Sequence, residues 1–154
     1  MRRIVRVGGS VLAVASLALA LAGAAFAVKS GVWDGNTNQS YGSAAMPFSL
    51  QVSRNKVTVV YFGADFTGTS SRCALSDGPD AQRLDPNTGF KGLMIKHGRF
   101  GGKFTVSGSE HVSLSGQLRG QSLSGSLTDS FTVAGIHCTT GKVSFSAKPG
   151  NELI

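Results

Sequence analysis

Leu114-Ser115-Gly116-Gln117-Leu118-Arg119-Gly120-Gln121-Ser122-Leu123-Ser124-Gly125-Ser126-Leu127 is the stretch that decides the fold. Leu-Ser-Gly-x-Leu occurs twice in it. Each copy alternates apolar and polar side chains with a period of two, the pattern of a half-buried strand. Gly120-Gln121 offers a two-residue turn between the copies, and glycine in its first central position suits type II′. That turn sets a register in which Leu118 faces Leu123, Gly116 faces Gly125 and Leu114 faces Leu127. Two glycines opposed between two leucine pairs leave a notch on the buried face. Such a notch admits an aromatic ring from a facing sheet, or Trp33, or lets the sheet bend sharply. With two copies the unit is a duplicated hairpin, not a solenoid repeat.

Outward from this hairpin, nothing after Ala27 has helical periodicity, and short alternating runs recur among abundant Gly, Ser and Thr. Strands are expected over 31–37, 47–52 and 56–66, around Leu93 and Ile95, around Phe104 and Val106, and over 131–133 and 143–147, with Pro149-Gly150 ending the last. Residues 38–45 read as a polar loop. If Arg54-Asn55 is a two-residue turn, Val52 pairs with Val57, Leu50 with Val59 and Phe48 with Tyr61, each apolar on apolar. Val60 and Phe62 then point the other way, which suggests a central strand. Residues 67–90 read as one long loop built from Ser76-Asp77-Gly78-Pro79 and Asp85-Pro86-Asn87-Thr88-Gly89, both turn chemistry. The fold expected is all-β, an antiparallel β-sandwich of about eight or nine strands, with a closed, lipocalin-like β-barrel as the alternative.

Residues 1–27 stand apart. Arg2, Arg3 and Arg6 precede an uncharged apolar run over 11–25, and Ala25-Phe26-Ala27 has the small-x-small form read by signal peptidase. This predicts a signal peptide cleaved after Ala27, leaving 28–154 as a single domain that is secreted or held in the cell envelope. An uncleaved anchor needs roughly 18 apolar residues, which this Ala-rich run barely reaches, so no stable membrane span is expected after cleavage. Arg2-Arg3 by itself is thin support for twin-arginine export, and the general route is favoured. The absence of cysteine near the cleavage site argues against a lipid anchor there.

The chain of 154 residues carries 15 Lys and Arg against 8 Asp and Glu. Without Arg2, Arg3 and Arg6 the net charge falls from +7 to +4, which keeps a small domain soluble and does not argue for nucleic acid. Both cysteines, Cys73 and Cys138, fall in the exported part, where two cysteines read as one disulfide. The loop it closes, about 65 residues, is worth roughly 4 kcal/mol by chain-entropy reasoning. A catalytic thiol is the weaker reading, because an unpaired thiol outside the cytoplasm is readily oxidised.

The order of motifs resembles a group of small secreted bacterial proteins common in actinobacteria. Gly-Val-Trp-Asp-Gly opens the domain and Pro-Phe-Ser-Leu-Gln-Val follows. The two Leu-Ser-Gly segments come next, and Cys138-Thr-Thr-Gly-Lys-Val-Ser-Phe-Ser-Ala-Lys148 closes it. The resemblance spans nearly all of 28–154 and implies the β fold and the disulfide, but carries across no catalytic residue. Gly31-Val32-Trp33 also resembles the Gly-x-Trp start of lipocalin-like barrels.

Candidate site residues are few. Trp33, the only tryptophan, would stack on a sugar ring if exposed, or fill the glycine notch if buried; burial is favoured. Asp77, Asp80 and Asp85 lie in one loop and could hold Ca²⁺, though their spacing fits no EF-hand and a solvated loop is favoured. Lys91, Lys96, His97, Arg99 and Lys103 form a stretch without carboxylates that could meet anionic wall polymers, or simply blunt a strand edge. His97, His111 and His137 are scattered, and there is no nucleophile elbow, His-Glu-x-x-His or phosphate loop. No cofactor and no metal is expected. The leading expectation is a non-catalytic binding or interaction module of the cell exterior, its partner a cell-wall polysaccharide or another extracellular protein. A carrier of small apolar ligands and a secreted hydrolase are the alternatives.

Overall fold

The computed structural model describes residues 28–66, 73, 80–106 and 108–151, so the signal peptide expected over 1–27 lies outside the described residues. Ten strands follow in order: β1 (Gly31–Tyr41), β2 (Ala44–Ser53), β3 (Lys56–Ala64), β4 (Asp80–Leu84), β5 (Leu93–Met94), β6 (Arg99–Thr105), β7 (His111–Arg119), β8 (Ser122–Val133), β9 (Ile136–Thr139) and β10 (Val143–Gly150). All pairings are antiparallel and make one sheet in the order β4-β3-β2-β1-β10-β8-β7-β6, with β5 also against β3 and β9 also against β8. β4 and β5 lie in succession along one edge of β3, opposite Val60–Ala64 and then Lys56–Val57. β9 and β10 likewise lie in succession along β8.

The fold is all-β and sandwich-like, but it is one open sheet folded over a single core. The two ends of the sheet approach where β5 leads into β6. Lys96 and Arg99 form an isolated antiparallel bridge there, and Leu118 N donates to Gly98 O. Inward side chains at every second position close over one another: Trp33, Phe48, Leu50, Val52, Phe62, Leu114, Leu123, Leu127 and Phe145 are all buried. Phe48 and Phe145 stack with ring centroids 3.9 Å apart, from the strands on either side of β1.

The Leu-Ser-Gly hairpin has the expected register, with Leu118 opposite Leu123, Gly116 opposite Gly125 and Leu114 opposite Leu127. Gly120 takes φ 58° at the first central position of its turn. Cys73 and Cys138 form the disulfide with their Cα atoms 5.5 Å apart, and both are fully buried.

Three expectations need correction. Val52 does pair with Val57 across the Arg54-Asn55 turn, but a bulge between Gln51 and Val52 then slips the register by one. Leu50 meets Val60 and Phe48 meets Phe62, so Val60 and Phe62 are the core residues while Val59 and Tyr61 are half-exposed. An extra residue in one strand reverses every side chain beyond it. Second, 38–45 is not a loop, because β1 continues to Tyr41 and β2 begins at Ala44. Side chains replace backbone partners through this irregular stretch. Ser144 N donates to Asn38 Oδ1 at 2.8 Å, and the Gln39 amide bonds both the N–H and the carbonyl of Asp65. Third, 80–84 within the expected long loop forms β4, and Pro86–Thr88 is a turn of 3₁₀ helix.

Candidate functional site

Trp33 is 1% exposed, and its indole Nε1 donates to the Lys29 carbonyl at 3.3 Å, so its ring is no platform for a sugar. Nor does it fill the glycine notch. Phe100 and Phe145, opposite Gly116 and Gly125 on the flanking strands β6 and β10, lay their ring tips over the two glycines. The rings that occupy the notch therefore come from the same sheet, as when an aromatic covers a strand glycine beside it.

Of the three aspartates, the two among the described residues, Asp80 and Asp85, are not brought together. Asp85 caps the 3₁₀ turn: its side chain accepts from Asn87 N at 2.9 Å and Thr88 N at 3.2 Å, and pairs with Arg83 Nε at 2.9 Å. The Arg83 bond and the capping N–H groups hold its carboxyl below the usual carboxylate range. Asp80 begins β4 and Asp85 follows its end, so the two are separated by the strand's length, about 16 Å. Asp77 lies outside the described residues. Among the described residues no three His, Cys, Asp or Glu side chains gather as metal ligands.

Lys96 and Arg99 flank the tight turn at His97 (φ 51°) and Gly98 (φ 73°), and both side chains are exposed. His97 and His137 are exposed as well. His111 Nδ1 is 3.2 Å from Thr105 Oγ1 at an exposed cross-strand pair on β6 and β7.

Arg99 opens onto a polar face of the sheet. Outward side chains of β6, β7, β8, β10 and β1 line up in rows across the strands. One row runs Arg99, Gln117, Ser124, Ser146, Asn36. The next runs Gly101, Ser115, Ser126, Ser144, with Ser115 Oγ and Ser126 Oγ 3.5 Å apart. A third runs Lys103, Ser113, Thr128. Three shallow adjoining depressions of about 410, 560 and 350 Å³ cover this face. Arg99, Lys103, Lys142 and Lys148 supply its cations, and Asp34 at the β1 side is the only carboxylate among the described residues lining them. At one strand spacing per step the first row spans about 19 Å. The alternation that buries the leucines creates this face, since each serine between two leucines must point outward.

One pair of groups was not singled out from the sequence. Asp129, on β8, is fully buried, and no side-chain donor among the described residues reaches either of its carboxyl oxygens. Burial first, and then the adjacent Glu110 carboxylate, push its carboxyl up to about 8. The signal was present: Leu127, Asp129 and Phe131 are spaced two apart, which puts an acid on an inward face.

No family model matches the chain, no curated protein matches it, and no solved structure matches it.

Proposed function

We propose that the chain is a non-catalytic binding module of the cell exterior, and that the outer face of β6, β7, β8 and β10 binds an anionic wall polysaccharide in extended form. The observation that carries this reading is the ladder of hydroxyl and amide side chains bordered by Arg99, Lys103, Lys142 and Lys148. Hydroxyls exchange hydrogen bonds with sugar hydroxyls, and cations spaced along the ladder attract repeated negative charge. No tryptophan or tyrosine lines the face, so stacking on neutral sugars is not its chemistry. Against the carrier reading stands the centre of the core, where Phe48 and Phe145 stack at 3.9 Å in the space a carried ligand would need.

Co-sedimentation with an insoluble anionic wall polymer, and with the same polymer stripped of its anionic groups, tests the proposal. Binding to the first only, weakening with salt and lost in the triple variant Arg99→Ser, Lys103→Ser, Lys142→Ser, is expected. Equal retention by both polymers, or full retention by the variant, would overturn it.

A further inference from the structure

We propose that the depression over β6, β7 and β8, between Lys103 and His111, is a binding site for a tetrahedral oxyanion, the phosphodiester or sulfate ester of a polymer rather than the carboxylate of a uronic acid. The inference rests on the proposed function for the polymer and narrows the class of its charged group.

Two neighbouring cross-strand rows build the depression. Lys103, Ser113 and Thr128 make one row, and Thr105, His111 and Ser130 make the next. All six line a single hollow of about 410 Å³. Lys103, Thr105 and His111 are exposed and form its rim, whereas Ser113, Thr128 and Ser130 are half-buried and form its floor. Lys103 and His111 are diagonal neighbours across β6 and β7. Such a pair starts about 7–8 Å apart, a gap that long side chains close, so both nitrogens reach one ion seated over Ser113.

Hydrogen bonds within the group leave several donors over. Thr105 Oγ1 lies 3.2 Å from His111 Nδ1. A hydroxyl takes either role, so Nδ1 is engaged both in the imidazolium and in the neutral tautomer that carries its hydrogen on Nε2. The Nε2 hydrogen is then left for a ligand. Ser130 Oγ donates to the His111 carbonyl at 3.4 Å. Ser113, Thr128 and Lys103 make no side-chain hydrogen bond or ion pair to any described residue. Lys103 Nζ, His111 Nε2, Ser113 Oγ and Thr128 Oγ1 therefore supply donors from rim and floor together. No carboxylate is among the described residues lining the hollow. Asp129 alternates to the inner face, and Glu110, the residue before His111, has its Oε1 buried.

Phosphate and sulfate esters present oxygens in four directions, which suits donors converging from the sides and from below, and lysine meets them as a point charge. A planar carboxylate is matched instead by the fork of a guanidinium, and no arginine is among the described residues lining this hollow. Arg99 begins β6, about 13 Å along the strand from Lys103.

Inorganic phosphate, inorganic sulfate and acetate are the probes, each titrated into the ¹⁵N-labelled protein at constant ionic strength. Phosphate or sulfate is expected to shift the backbone amides of Lys103, Ser113 and Thr128 and the His111 Nε2 resonance, while acetate leaves them in place. The tighter of the two ions names the ester. Ser113→Ala combined with Thr128→Val keeps both cations and is expected to weaken the oxyanion at least about fivefold, and Lys103→Gln, on the exposed rim, is expected to do the same. Equal shifts with acetate, shifts scattered over lysines elsewhere, or undiminished affinity in these variants would mean an adventitious ion only and overturn the proposal. Oxyanion binding here without retention on the wall polymer upholds the site and fails only the polymer reading. Retention on the polymer with no oxyanion preference at these residues overturns the site and leaves the polymer reading standing.

Discussion

Adding one methyl group to Gly125 tests the glycine notch. A Cβ there would collide with the backbone carbonyl oxygen of Ser115 and the ring tip of Phe145, and would lie 2.8 Å from the Gly116 Cα. The Ser115 oxygen belongs to the β7 backbone and cannot rotate away. The Phe145 ring can retreat only by giving up its stack on Phe48. Overpacking of this kind costs about 1–3 kcal/mol, and two unyielding neighbours place Gly125→Ala at the upper end. Restricting the unfolded chain returns roughly 0.5–1 kcal/mol. The net expectation is a loss of about 2 kcal/mol, or about 6–8 °C in Tm for a domain of this length. Urea unfolding followed by fluorescence reads it directly, with Gly101→Ala as the control. At Gly101 a Cβ would meet nothing closer than 3.4 Å, an ordinary contact on the outer face, so that variant is expected within about 0.5 kcal/mol of the parent. Loss of less than 0.5 kcal/mol by Gly125→Ala, or an equal loss by the Gly101 control, would refute the account of the notch.

Replacing Cys73 and Cys138 together by serine opens the long disulfide loop and is expected to lower stability by about 4 kcal/mol, read from the urea midpoint. Gln39→Ala removes the side chain that bonds the N–H and carbonyl of Asp65 and reaches Thr140 O at 3.5 Å; a loss of about 1–3 kcal/mol is expected in the same assay. Stability should also pass through a maximum in mild acid. Asp129, raised in the fold to about 8 from 3.8, contributes stability that is complete below its unfolded value and is lost as pH rises towards 8. Asp85, lowered in the fold, contributes the opposite slope: stability present above the ordinary aspartate range and lost as pH falls through it. Urea midpoints measured from pH 3 to 9 check both signs, and a midpoint that climbs steadily to pH 9 would contradict the Asp129 assignment.

What could be read from the residues follows their physics. The Leu-Ser-Gly hairpin was legible because its turn, alternation and paired glycines all specify one register. The β2–β3 hairpin was legible only up to the bulge beyond Val52, since both faces of 57–62 are apolar and neither setting exposes a mismatch. β4, with the sequence Asp-Ala-Gln-Arg-Leu, was illegible because four of its five residues remain at least partly exposed, leaving no apolar alternation to detect. At the site, Arg99 and the basic stretch were visible as charge, but the ladder that organises them needs the pairing of four separate strands. Asp129 was legible by position and was passed over because one acid in an alternating strand looks like any surface residue until its neighbours are placed.

β1 and β10, first and last in the chain, are hydrogen-bonded neighbours in the middle of the sheet order, with Val32 opposite Gly150, 118 positions away. The seat that receives Trp33 is thus half-built until the final strand arrives. A nascent chain can form the local hairpins as they emerge, yet the barrier set by such a distant pairing is crossed only once synthesis has passed residue 150.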